Sequence, residues 1–160
     1  MISEIDLTHL KRCVELAGEA LKKGDQPFGS VLVSKEGEVL FEDHNHISGG
    51  DYTQHPEFNI ARWVGQNMDE ADRADATVYT SGEHCPMCSA AHGVVGLGRI
   101  VYVSSSEQFG QWKEELGIVE EPRVNPLAIE DVIVNARVDG PVPELAAEVK
   151  ELHRQYFNKK

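Results

Sequence analysis

The stretch of residues 77–103 constrains the fold more than any other part of the chain. It begins and ends with short apolar runs, at 77–80 and 99–103, which are rich in β-branched and aromatic residues and are typical of strands. Between them, the apolar residues of 90–95 recur at helical spacing. A strand, a helix and a strand in this order form a βαβ unit, which normally gives two parallel strands joined by a right-handed crossover. The stretch therefore predicts a partly parallel sheet that is packed against helices.

The first part of the chain predicts a helix followed by a hairpin. Apolar residues recur every three or four positions over residues ~6–23, and Gly24 follows them as a helix stop. The short apolar runs 29–34 and 38–42 are separated by a few residues that include a glycine, which is typical of a β-hairpin. These segments therefore predict an amphipathic helix and two antiparallel strands.

The remaining segments complete an α/β fold. Helical spacing resumes at Pro56 and again over residues ~144–157. A weaker strand is expected near 132–134, after a variable region at 104–125. We therefore predict a three-layer α-β-α sandwich with a mixed five-stranded sheet, in a single domain that comprises residues 1–160.

The charge of the chain disfavours a nucleic-acid partner. Its 27 acidic residues outnumber its 15 basic ones and give a formal net charge of −12, which would repel a phosphate backbone. The densest basic stretch, 150–160, is interrupted by Glu151 and closes the predicted last helix, where cations complement the helix dipole. No apolar run approaches the ~20 residues of a membrane span and no secretory signal is evident, so we expect a cytoplasmic protein without a membrane partner.

The cysteines indicate a metal site. Cys85 and Cys88 form a C-x-x-C pattern, which without a secretory signal favours metal or redox chemistry over a disulfide. Cys13 falls on the apolar stripe of the first helix and is expected to be buried. No second C-x-x-C exists for a four-cysteine zinc site, and a redox site leaves His55 and Glu57 unexplained. His55, Cys85 and Cys88 would instead give the three ligands and the open fourth position of a catalytic zinc.

The residues next to these ligands place them at the starts of two helices. His55 precedes Pro56 and Cys85 precedes Pro86, and proline is favoured at the first helical position. Two helix N-termini directed at one point would lower the pKa values of thiolates there. Glu57 follows His55 by two residues, where the chain is still extended, so its carboxylate is expected beside the metal. We therefore expect zinc to activate a water and Glu57 to take up and return its proton.

These motifs resemble those of the cytidine deaminase superfamily. The resemblance rests on residues 51–57, with the pattern D-x-T-x-H-x-E, and on residues 80–88, with the pattern T-S-x-E-x-C-P-M-C. Residues 26–31, after the first helix, and Asn45, after the second strand, are most similar to bacterial guanine deaminases, with tRNA adenosine deaminases and cytosine deaminases close behind. The similarity extends over residues ~6–103 and is faint afterwards, although the ending Y-F-x-K-K fits the guanine branch.

The resemblance implies a homodimer and several substrate contacts. It implies that Asn45 hydrogen-bonds the base and that Phe28 forms a wall of the pocket. In guanine deaminases the C-terminal segment can be exchanged between subunits and complete the partner's site, which makes Tyr156 a candidate contact. Trp112, in the variable region, is a second candidate, although such aromatic side chains more often belong to a core or an interface.

Two residues depart from the pattern of the superfamily. Pro56 stands where most relatives have alanine. Proline has no backbone N–H, so any substrate contact that a relative makes through the N–H at this position is not available to this chain. His84 stands where most relatives have proline before the first cysteine. It is a candidate for contact with the substrate or with a metal ligand, or a residue that fills space.

The residues and the resemblance together predict a deaminase of a small molecule. We expect a free purine base or a related amino-heterocycle as the substrate, with guanine first and cytosine, a nucleoside or a pterin as alternatives. A tRNA adenosine deaminase ranks lower because Glu144, Glu148 and Glu151 offset the bases of the last helix. A different class, a non-catalytic zinc-binding protein of the same fold, would not require Glu57.

Overall fold

The computed structural model describes residues 1–159, and the final Lys160 of the basic tail lies outside the described residues. The helices are α1 Glu4–Lys22, α2 Pro56–Asn67, α3 Glu70–Arg73, α4 Pro86–Val94, α5 Ser106–Glu115, α6 Ile129–Val132 and α7 Pro143–Asn158, with a 3₁₀ turn at Ile47–Gly49. The strands are β1 Gly29–Val33, β2 Val39–His44, β3 Thr77–Gly82, β4 Ile100–Ser104 and β5 Val138–Asp139. Within residues 1–159, no helix combines the length and the apolar character that crossing a membrane requires.

The five strands form one mixed sheet in the order β2-β1-β3-β4-β5. Strand β1 is antiparallel to both β2 and β3, which confirms the predicted hairpin. Strands β3 and β4 are parallel, as predicted for the βαβ unit, and β5 is parallel to β4. Parallel neighbours end at the same edge of the sheet, so the segments after β3 and β4 meet there.

Helices cover both faces of the sheet. In β1, Val31 and Val33 pack with Leu10 of α1 and Leu145 of α7, whereas Leu32 packs on the opposite face with the apolar residues of α2. All five residues of β1 are buried. Because alternate residues of a strand point to opposite faces of the sheet, this burial requires a helix layer on each side. The chain thus folds as the predicted three-layer α-β-α sandwich. Cys13 is fully buried in the α1 layer, as expected.

The prediction of a strand near residues 132–134 is wrong. Residues Ile129–Val132 form helix α6, and the fifth strand is the two-residue β5 that follows. The cause is a contact from a distant part of the chain, because Glu83 Oε2 accepts a hydrogen bond of 3.0 Å from the N–H of Ile129. This carboxylate satisfies a backbone donor at the start of α6 and favours a helical turn there.

A buried ion pair ties α1 to the sheet. Asp6, in the first turn of α1, accepts hydrogen bonds from Arg99 at 2.9 and 3.0 Å and from the Tyr79 hydroxyl at 2.7 Å. Burial acts to raise the pKa of Asp6, but the hydrogen bonds from Arg99, the Ser3 amide and Tyr79 outweigh it and hold the pKa well below its usual range. The carboxylate is only 4% exposed, so it depends on these partners to remain charged.

Asp6→Asn is expected to lower the free energy of unfolding by about 2 kcal/mol at pH 7, because the charged acceptor of the Arg99 and Tyr79 hydrogen bonds is lost, whereas Arg99 keeps its 2.8 Å ion pair with Asp139. Since folding depresses the pKa of Asp6, its stabilisation is fully present above the unfolded value of about 3.9 and is lost progressively as the pH falls from there through the lower folded value. Urea unfolding at pH 7 and pH 3 measures both effects, with exposed Glu4→Gln as the control. An Asp6→Asn protein as stable as the wild type at pH 7 would contradict this account.

Candidate active site

His55, Cys85 and Cys88 lie at the starts of two helices that pack side by side on one face of the sheet. His55 is the N-cap of α2 and Cys85 is the N-cap of α4, and each has extended backbone angles and is followed by proline. Cys88 lies in the first turn of α4. The prediction that two helix N-termini converge here is confirmed. Each helix begins at a proline because the missing N–H costs nothing at N1, and the packing of α2 against α4 brings the two helix starts together.

The three side chains are close enough to share one metal ion. His55 Nδ1 is 3.6 Å from both Cys85 Sγ and Cys88 Sγ, and the two sulfurs are 3.5 Å apart. Tetrahedral zinc with Zn–S of ~2.3 Å and Zn–N of ~2.0 Å requires ligand separations of about 3.5–3.8 Å. Two thiolates and one imidazole, with a fourth position open, form a donor set of known catalytic zinc sites. The residues therefore fit zinc in both identity and spacing.

The electrostatics of this group favour a cation. The hydrogen bond with Cys88 lowers the pKa of Cys85 to about 4, against the effect of burial. The same hydrogen bond, together with burial, raises the pKa of Cys88. Burial acts to lower the pKa of His55, but the neighbouring Cys85 thiolate raises it overall. Without a metal, the group thus carries a thiolate that attracts positive charge.

Glu57 lies next to this group, with its side chain buried. It is in the first turn of α2 and only 5% exposed. Ser30 donates a hydrogen bond of 2.8 Å to Glu57 Oε1, and the Thr80 hydroxyl lies 3.0 Å from the same oxygen. Burial raises the pKa of Glu57, although His55 and the two hydroxyls act to lower it. A carboxylate with a raised pKa is suited to proton transfer near neutral pH.

A cavity of about 170 Å³ opens beside these residues. His55, Glu57 and Cys85 line one end of it. The rings of Phe28 and Phe109 also line it and meet edge to face, with centroids 5.6 Å apart. The remaining lining residues are mainly polar: Gln26, Asn45, Pro56, Gly82, Glu83, Ser104, Ser105 and Ser106. A narrow cavity with aromatic walls and a few polar groups is the shape that binds a small planar molecule.

Asn45 brings one free polar group to this cavity. Its Oδ1 accepts a hydrogen bond of 2.9 Å from the N–H of Ile47, and its own backbone N–H donates to the carbonyl of Phe28. The first bond orients the side chain, and the second fixes the backbone that carries it. The amide Nδ2 takes part in neither of them, so it remains as a donor for a ligand.

Three of the predicted substrate contacts do not line the cavity. His84 is fully buried beside His92, with ring centroids 5.4 Å apart at nearly right angles. Trp112 is 7% exposed and belongs to the core between α1, α7 and the sheet. Tyr156 packs with Leu21 and Phe157 near the end of α7. Phe28, Asn45 and Pro56 do line the cavity. An exchange of C-terminal segments between two chains stays a prediction.

Sequence reasoning missed Phe109, which lies on α5 in the segment described only as variable. Its position depends on a capping box, in which Ser105 and Gln108 bond each other's backbone amides. This S-x-x-Q pattern could have located the helix start. Glu83, the acidic residue of the T-S-x-E pattern, has no role that the sequence predicts. Its Oε1 accepts a hydrogen bond of 2.9 Å from the N–H of Ser106, so it holds the start of α5 beside the cavity.

Known proteins resemble this chain in sequence and in fold. The profile of the cytidine and deoxycytidylate deaminase zinc-binding region matches residues 3–104. The chain is 29% identical over 116 residues to the "probable cytosine deaminase" of Schizosaccharomyces pombe, spanning 72% of this chain and 70% of that protein. It is 38% identical over 86 residues to the guanine deaminase of Bacillus subtilis, spanning 52% and 54%. A solved structure of a guanine deaminase from Nitrosomonas europaea aligns with a TM-score of 0.69 at 17% identity, over 98% of this chain and 85% of that one.

Proposed function

Since this chain belongs to the cytidine and deoxycytidylate deaminase family, it is a hydrolase that acts on C–N bonds, and we propose that it deaminates a free purine base, guanine first, with release of ammonia. The observation that carries the proposal is a single cavity. It joins a buried carboxylate, Glu57, to a group of side chains that fits zinc and to two aromatic walls.

The metal in this proposal is zinc, held by His55, Cys85 and Cys88. The support is the separation of 3.5–3.6 Å between their ligand atoms and the zinc-binding character of the family. Bound zinc supplies Lewis acidity, which lowers the pKa of a water from ~15.7 towards ~7. Two helix N-termini add positive partial charge at the same point.

Glu57 moves the protons of the reaction. Its carboxylate takes a proton from the attacking water and gives it to the ring nitrogen next to the carbon under attack. The same carboxyl then takes the second proton of that water and delivers it to the amino group, so that the C–N bond breaks and ammonia departs. Ser30 and Thr80 bond one carboxylate oxygen, Oε1, which leaves Oε2 for these transfers.

The cavity selects a small planar substrate. Its volume of about 170 Å³ is below the ~300–1,000 Å³ of sites for drug-sized ligands. Phe28 and Phe109 offer apolar surfaces to a heterocyclic ring, and the amide of Asn45 offers a donor for a ring nitrogen or carbonyl. The net charge of −12 favours a free base over a nucleic acid.

An ammonia-release assay of the zinc-loaded protein tests the proposal directly. The substrates are guanine, adenine, cytosine, their nucleosides and pterins, and we expect the highest kcat/KM with guanine. A preference for cytosine, a nucleoside or a pterin would contradict the assignment of guanine as the substrate. The similarity to the Schizosaccharomyces pombe protein would favour cytosine. Protein with one zinc per chain that deaminates none of these compounds would favour the non-catalytic alternative.

Ser30→Ala is expected to lower kcat roughly tenfold, or about 1.4 kcal/mol of transition-state stabilisation. The reason is that the buried Glu57 carboxylate loses its 2.8 Å hydrogen bond and with it a fixed orientation. Steady-state kinetics and zinc content are measured together. Ser34→Ala is the matched control, because Ser34 lies just after β1 and outside the cavity lining. An unchanged kcat in Ser30→Ala would rule out this positioning role.

A further inference from the structure

A second group of ligand-type side chains lies where α1 and β2 end. One ligand atom from each of Asp25, His44 and His46 lies within 4.8 Å of those of the other two. Asp25 and His44 are buried, with exposed fractions of 3% and 6%, and His46 is exposed. The two imidazole rings lie 4.3 Å apart between centroids. None of these residues belongs to the group formed by His55, Cys85 and Cys88.

Hydrogen bonds to backbone and carboxylate groups determine which atom of each of the three side chains keeps a lone pair. His44 Nδ1 is 2.9 Å from the carbonyl oxygen of Asn45, which can only accept, so Nδ1 carries the hydrogen and Nε2 the lone pair. His46 Nε2 is 2.8 Å from the carboxylate of Asp43, so Nδ1 of His46 carries the lone pair. The N–H of Ser48 bonds only Oδ1 of Asp25, at 2.8 Å.

This hydrogen-bond pattern is the one that surrounds metal ligands. A histidine that binds a metal nearly always donates its other ring N–H to a carboxylate or to a backbone carbonyl, which fixes the ring and raises its basicity. His46 has the carboxylate partner and His44 has the carbonyl partner. Asp43 is itself held by the side-chain amide of Asn59 at 2.9 Å. The outer contacts of a metal site are therefore already in place.

A cation already occupies part of this position. Lys23 Nζ lies 3.2 Å from Nε2 of His44, so its ammonium donates to the lone pair that a metal would use. The Lys23 side chain is exposed, so it can move into solvent without uncovering an apolar surface. The ammonium thus marks a point at which these side chains stabilise positive charge.

We propose that Asp25, His44 and His46 bind a divalent transition-metal ion, with displacement of the Lys23 ammonium. Two imidazoles and one carboxylate suit zinc, nickel, cobalt or iron and disfavour magnesium and calcium, which prefer oxygen ligands alone. The remaining coordination positions are open to water. The site contains no thiolate, so it differs in chemistry from the proposed catalytic centre.

An ion at this site would act on the substrate cavity through chain connectivity. Asp25 precedes Gln26 and His44 precedes Asn45, and both following residues line the cavity. The ion would join the segment after α1 to the end of β2, which fixes these two polar side chains relative to each other. We therefore expect binding to raise the Tm in a concentration-dependent manner.

Calorimetric titration with Ni²⁺ tests the site in untagged, full-length protein that carries one equivalent of zinc. We expect one further equivalent to bind, with zinc content unchanged after the titration. His44→Gln removes a ligand and should weaken this binding roughly 100-fold or more. Lys23→Met removes the competing ammonium and should tighten it roughly tenfold. His9→Gln, which removes an imidazole far from the site, should leave it unchanged.

Two results would overturn the proposal. One is a wild-type protein that binds no second equivalent of Ni²⁺. The other is a second equivalent that His44→Gln and Lys23→Met each bind with the affinity of the wild type. Lys23→Met alters only an exposed side chain, so it decides the question even where His44→Gln does not fold. Neither result depends on deaminase activity, so this test and that of the proposed function fail separately.

Discussion

Glu57→Gln is expected to lower kcat roughly 10³-fold while zinc stays bound at one ion per chain. Glutamine has nearly the shape of glutamate and can still accept the hydrogen bond from Ser30, so the fold and the metal group are retained. The amide has no basic oxygen to take a proton from water, and general acid–base groups contribute ~10²–10⁴ in rate. Ammonia release measures the turnover, and metal analysis of the same sample measures the zinc.

Glu36→Gln is the matched control for this prediction. It makes the same chemical change on an exposed turn between β1 and β2, so its kcat is expected to equal that of the wild type. If Glu57→Gln with full zinc content turned over at the wild-type rate, Glu57 would not be the proton carrier and the proposed mechanism would be wrong. Loss of zinc from Glu57→Gln would likewise contradict the view that the residue acts on protons and not on the metal.

The residues around the proposed metal centre are predictable because the signals are local. His55 and Cys85 each precede a proline, and this pair of neighbours alone identifies both helix starts. Glu57 follows from a separation of two residues. The sheet is predictable for a similar reason, since the hairpin and the βαβ unit each consist of elements adjacent in the chain.

Features that depend on distant contacts are not predictable from these patterns. The strand expected near 132–134 is displaced because Glu83, far away in sequence, holds the start of α6. His84 is polar and next to a ligand, yet its side chain is turned into the core against His92. The group of Asp25, His44 and His46 joins two elements with no regular spacing between them. Only the register of the fold brings such residues together.

Cys88→Ala is expected to abolish both zinc retention and turnover, because it removes one of three ligands from the proposed metal site. Cys88 is fully buried and lies 3.5 Å from the sulfur of Cys85 and 3.6 Å from Nδ1 of His55. The two remaining protein ligands are too few to retain zinc. The protein therefore also loses the stabilisation that bound zinc gives to the folded state. That contribution is about 2.7 kcal/mol at a zinc concentration of 100 times the Kd. Metal analysis after dialysis and a thermal melt with and without added zinc measure these effects.

Cys13→Ala separates the loss of a ligand from the loss of a buried cysteine. Cys13 is also fully buried, but it lies in the core between α1 and the sheet and outside the metal group. Its substitution is expected to cost about 1 kcal/mol of stability and to leave one zinc per chain, near wild-type turnover and the rise in Tm with zinc. If Cys88→Ala kept one zinc per chain after dialysis, Cys88 would not be a ligand.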